Sequence, residues 1–124
     1  MSKALQLVYM TARHAAQARR LARVLVEERL AACVNILGPV TSVYRWQGKV
    51  EQAREVALLA KTRGTLVPRL QQRVRELHDY DVPCVVALSI TGGNPDFLAW
   101  LETETAPVSS DGSPRRRRGR RAAS

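Results

Sequence analysis

The chain has 124 residues, 45% of them hydrophobic and 25% charged, and a net charge of +9. Such values fit one globular domain with a modest core and exclude both a two-domain chain and a wholly disordered one. No apolar run approaches the ~20 residues of a membrane-spanning helix.

Residues 5–11 alternate between apolar and polar side chains, which predicts a strand with one buried face. From residue 14 to residue 30 the period changes, with Ala18, Leu21, Ala22 and Leu25 recurring at three and four residues and Arg19, Arg20, Arg23 and Glu27 falling elsewhere. That spacing predicts an amphipathic helix laid on a sheet. A second strand begins at residues 32–36, is interrupted by Gly38-Pro39 and resumes over 40–46, so a bulge or bend is expected inside it. Gln47-Gly48 then suits a tight hairpin turn, and the apolar stretch 55–62 is its return strand. A second helix is predicted over about 66–77 from the stripe Leu66, Leu70, Val74 and Leu77, with Thr65 placed to cap it. Residues 84–90 form a fourth strand. Asn94 and Pro95 then open a short last helix, with Phe97, Leu98 and Leu101 on its buried side.

The order is strand, helix, strand, strand, helix, strand, helix. This is the split βαβ pattern of a ferredoxin-like α+β fold (βαββαβ) with an added C-terminal helix, filling residues 1–106. A sheet with both long helices on one face leaves the other face open, and its second and third strands outrun the other two. Apolar edges of that kind invite further copies of the chain, so a closed ring oligomer is expected.

Residues 107–124 form an Arg-rich tail without a large apolar side chain after Val108, and disorder is the expectation there. Within 109–124, six arginines (Arg115, Arg116, Arg117, Arg118, Arg120 and Arg121) stand against Asp111 alone, so five of the nine net charges lie in the tail. The tail is either a polyanion contact acting through phosphates or a solvated extension, and no interleaved aromatic residue is there to stack on bases. With no export core near the start and only two cysteines, Cys33 and Cys84, the expected setting is the cytoplasm with both thiols reduced.

Five blocks carry a more specific signal: ERLAACVNI at 28–36, YRWQGKVE at 44–51, LAKT at 59–62, HDYDVP at 78–83 and FLAWL at 97–101. In order and spacing they resemble the CutA divalent-cation tolerance family over about residues 5–105. The resemblance implies a trimer of ferredoxin-like subunits, similar in fold to the PII signalling proteins, associated with copper tolerance and able to bind divalent metal. It implies no enzymatic reaction, and the chain shows no nucleophile motif, phosphate-binding glycine loop or closely spaced His and Cys set.

Family members implicated in copper binding have Cys at the position of Met10 and a second His at that of Leu77, beside the shared His78. Met10 offers a thioether suited to Cu(I), Leu77 offers nothing, and Cys33 is the remaining soft donor. The candidate ligands of copper or another divalent ion are therefore His78, Met10 and Cys33. Against this, Met10 and Cys33 also suit a core, and His78 also suits the carbonyl end of a helix. In the family the 78–83 loop lines a cleft between subunits along with the positions of Lys61 and Trp46. This implies a second site, for a small anionic ligand of the PII kind, formed by Trp46, Lys61, Tyr80 and Asp81. Tyr44, Trp46 and Trp100 are the expected trimer contacts.

Overall fold

The computed structural model describes residues 4–107. The strands are β1 (Leu5–Ala12), β2 (Cys33–Trp46), β3 (Lys49–Arg63) and β4 (Val85–Ser89). The helices are α1 (Ala15–Glu27), α2 (Val67–Leu77) and α3 (Pro95–Glu104). They build one sheet in the order β2-β3-β1-β4, antiparallel at every pairing. This is the expected ferredoxin-like architecture with its extra helix.

Strand alternation decides what lies on each face. Val8, Met10, Ala12, Val56, Leu58 and Ala60 meet Ala18, Leu21 and Leu25 of α1 and Leu70 and Val74 of α2 in the main core. The opposite face holds a smaller cluster, where Ala32, Cys33 and Leu101 pack with Leu5, Ile90, Phe97 and Trp100. α3 thus covers only one end of that face. Beyond it the face continues as cross-strand rows: Cys33, Lys61, Leu7 and Leu88 in one, Asn35, Leu59, Tyr9 and Val86 in the next. Val86 and Leu88 are about half exposed, at 51% and 54%.

Local chemistry sets the boundaries. His14 caps α1, its Nδ1 accepting the Gln17 N–H at 3.1 Å, while Gln17 Oε1 accepts the Arg13 N–H at 2.8 Å. Together they satisfy free amides at the helix start in the manner of a capping box. Asn94 caps α3 as expected, accepting the Asp96 N–H at 3.0 Å. Thr65 does not cap α2: it lies in a 3-10 turn, Gly64–Leu66, and the helix begins at Val67. The Val67 N–H already bonds Gly64 O in that turn, and Pro68 brings no N–H to the first turn, so little is left for a side-chain cap to satisfy.

The Gly38 expectation holds: the β2–β3 register shifts between Ile36 and Gly38, with Gly38 at φ +114. Gln47 and Gly48, both at positive φ, make the two-residue hairpin turn. β1 pairs with β3 only from Val56 to Arg63, so residues 49–55 of β3 have β2 as their single neighbour. This two-stranded arm extends roughly 20 Å beyond the four-stranded sheet. It carries Val43, Tyr44, Trp46 and Val50 exposed.

Leu58, fully buried mid-strand between both helices and the sheet, is the most direct test of the core. Leu58→Ala is expected to lower unfolding free energy by about 2–5 kcal/mol in a denaturant titration. A loss under about 1 kcal/mol would place Leu58 outside the packed interior.

Candidate functional site

The turn from α2 to β4 brings its side chains back onto the end of β1 and the base of the arm. His78 ends α2, where its N–H bonds Val74 O at 2.8 Å. Its ring is buried, with Nε2 2.8 Å from the Thr11 carbonyl oxygen and Nδ1 accepting the Tyr80 N–H at 3.1 Å. A carbonyl only accepts and an amide only donates, so Nε2 is the donor and Nδ1 the acceptor. Both nitrogens are then committed within the chain.

Tyr80 packs against that ring with centroids 4.5 Å apart. Its hydroxyl donates to Glu55 Oε2 at 2.8 Å, while Ser42 Oγ donates to Glu55 Oε1 at 2.6 Å. Glu55 sits where β3 leaves β1, so the two bonds tie the turn and β2 together at the base of the arm. Burial pushes the Tyr80 phenol up to about 12, and the Glu55 carboxylate adds to the effect. The Cys84 thiol is also raised, by burial first and by Glu55 second. Arg13 lies 5.5 Å over the Tyr80 ring and 3.5 Å from Asp79.

Lys61 belongs to a different place, the open face beside α3. Its Nζ donates to Asn35 Oδ1 at 2.6 Å, approaches Cys33 Sγ at 3.6 Å and lies 5.7 Å from the Phe97 ring centroid. Among the described residues no carboxylate comes within ion-pair distance of it. The ammonium is half-buried with neutral partners only.

The residues expected to share sites are thus dispersed within one chain. Met10 is fully buried in the main core and Cys33 lies in the cluster on the other face, so they cannot join His78 around one ion. Among the described residues no group of three or more His, Cys, Asp or Glu side chains is placed to hold a metal. Trp46 is at the arm tip, Tyr80 at its base and Lys61 at the far end of β3, a span of about 40 Å at the strand rise. Asp81 is exposed, without a side-chain partner among the described residues. Trp100 packs against Phe97 at 5.4 Å in its own chain, whereas Tyr44 and Trp46 remain open.

Sequence pattern did not single out Glu55, Ser42, Arg13 or Asn35. A faint signal existed for Asn35, which interrupts the otherwise apolar segment 32–37.

The fold and this distribution of side chains define a ferredoxin-like α+β protein with a protruding hairpin and a half-open sheet face. A family model described as CutA1 divalent ion tolerance protein matches residues 6–104. The "Divalent-cation tolerance protein CutA" of Thermus thermophilus is 53% identical over 88 residues, covering 71% of this chain and 85% of that one. "Protein CutA" of Mus musculus is 46% identical over 96 residues, 77% of this chain, which spans 54% of the mouse protein's length. Among solved structures, the periplasmic divalent cation tolerance protein CutA from Archaeoglobus fulgidus superposes with a TM-score of 0.80 at 37% identity, covering 82% of this chain and 99% of that one. A divalent cation tolerance protein from Thermus thermophilus gives 0.78 at 49% identity, over 79% and 95% of the two chains. The chain belongs to the CutA1 divalent ion tolerance family.

The Tyr80 phenol provides a pH test. Its value is raised from 10.0 to about 12 on folding, so the neutral phenol's bond to Glu55 contributes fully below pH 10 and is lost as pH rises toward 12. Thermal stability is expected to fall over that window, and Tyr80→Phe should flatten the fall. An identical alkaline profile in the variant would assign the loss to other groups.

Proposed function

We propose that the chain works as a homotrimeric, non-catalytic divalent-cation tolerance protein of the cytoplasm, with copper or a similar ion as the cation handled. Family membership over residues 6–104 carries this reading. The trimer is supported by the exposed apolar groups on the arm and by the open row of Val86 and Leu88, surfaces that a further copy would remove from water. Among the described residues no helix is long and apolar enough to cross a membrane.

His78, Met10 and Cys33 of one chain do not fit a single metal centre. His78 has no free lone pair unless it releases Tyr80 or Thr11, and the two sulfur donors lie on opposite faces of the sheet. In this reading the ion draws its donors from more than one copy, where exposed groups such as Asp79 and Asp81 meet side chains of a neighbour.

One observation favours a second reading, a PII-like trimer taking a small anionic ligand between subunits. The Lys61 ammonium is half-buried and faces Asn35, Cys33 and Phe97 without a carboxylate among the described residues, which leaves its charge open to an anion. Trp46, Tyr80 and Asp81 reach such a site only if copies adjoin. A polyanion contact by Arg115, Arg116, Arg117, Arg118, Arg120 and Arg121 is proposed on composition alone, since those residues and the disorder expected of them lie outside the described residues.

Sedimentation of the full chain should give three times 13.8 kDa. A monomer at micromolar concentration would overturn the trimer. In a parallel Cu(I) and Cu(II) titration, His78→Ala is expected to leave metal affinity within about threefold while losing about 1–3 kcal/mol of stability, because Thr11 O and Tyr80 N–H lose their partner. A drop in affinity of more than about tenfold would return the metal to His78.

A further inference from the structure

The two long helices turn toward water a face on which charge is unevenly settled. Residues 13–28 and 67–79 hold seven arginines and four carboxylates. Each of these carboxylates has an arginine beside it: Glu27 has Arg23 at 3.0 Å, Glu28 has Arg73 at 2.9 Å, Glu76 has Arg73 at 3.1 Å and Asp79 has Arg13 at 3.5 Å. A two-pronged bond from Arg73 holds the Glu28 carboxyl below its usual range. Four exposed arginines, Arg19 and Arg20 on α1 and Arg69 and Arg75 on α2, then have no carboxylate within ion-pair distance among the described residues.

We propose that this face of α1 and α2 grips the phosphate backbone of a nucleic-acid duplex without reading its sequence. Guanidinium groups match phosphate oxygens in a fork that lysine cannot form. Arg19 and Arg20 are consecutive on α1, so two guanidinium groups lie within one turn and can meet neighbouring phosphates of one strand. Arg75 stands in the last turn of α2, where the helix carbonyl end favours a cation.

The same face argues against two other polyanionic partners. A membrane-binding helix places Trp, Phe or Leu among its basic residues, and Val26 is the one large apolar side chain exposed on α1 or α2. Single-stranded nucleic acid is held by aromatic stacking, and neither helix contains an aromatic residue. The last described residues lie close to the end of α1, because Arg29, just past that helix, bonds the carbonyl oxygens of Thr103 at 3.1 Å and Ala106 at 3.5 Å.

The test is fluorescence anisotropy of the full chain with short labelled DNA duplexes of two unrelated sequences, titrated from low to physiological salt. Wild type should bind both alike. The variant R19Q/R20Q/R69Q/R75Q should bind at least about tenfold more weakly at low salt, with the slope of log K against log salt reduced by about 3–4. The paired control R23Q/E27Q, which removes no net charge, should stay within about twofold. Circular dichroism melts check the fold, and Arg→Lys at the same four positions, which keeps the charge, should recover most of the low-salt affinity. A full-length chain with its six tail arginines changed to Ser should keep the sensitivity to the four helical positions. No duplex binding by wild type, an unchanged slope in the fourfold variant, or tighter binding to phosphatidylserine vesicles than to duplex would each overturn the proposal.

Discussion

The mismatch in length between β1 and β3 is the constraint from which the other features follow. β1 has 8 residues and β3 has 15, so β3 leaves the sheet with β2 as its one companion. A two-stranded ribbon has no core of its own, and its apolar side chains stay in water unless something covers them. The same mismatch creates a corner where β1 stops. The α2–β4 turn fills that corner, joining Tyr80 to Glu55, which Ser42 of β2 also bonds, and setting His78 against Thr11.

Polar groups in that corner are settled internally. His78 spends one nitrogen on a carbonyl and the other on an amide, and Glu55 accepts two hydroxyls. Burying such groups is tolerable because each has its partner. Lys61 differs, since among the described residues this half-buried charge has only neutral neighbours. On the helical side the imbalance is of the same kind but exposed: among the described residues, carboxylates are consumed in pairs and guanidinium groups remain. The described residues thus present three distinct surfaces: an apolar arm with an open sheet row, the Lys61 ammonium beside α3, and a basic helical face.

Much of the fold was legible because its signals are local. The α1 stripe of Ala18, Leu21 and Leu25, the turn at Gln47-Gly48, the Gly38 bulge and the Asn94 cap each depend on a few neighbouring residues and appear as expected. Thr65 was misplaced because a 3-10 turn and Pro68 satisfy the helix start in another way, a choice among local structures of similar energy. The candidate sites were less legible. His78 in HDYDVP has the composition of a ligand loop, and composition does not reveal that the carbonyl oxygen of Thr11, 67 positions away, would accept a hydrogen bond from its Nε2.

The sequence by itself determined the order and type of the elements and the family, since periodicity, turn chemistry and five blocks in register are all written along the chain. Only the tertiary structure decided which side chains meet. Strand alternation puts Met10 and Cys33 on opposite faces, although both strands share β3 as a neighbour. Register across β3 places Lys61 beside Cys33 and Glu55 at the base of the arm. The physical reason is that hydrogen-bonding capacity and charge are exhausted pairwise, by partners that lie close in space and far apart in sequence.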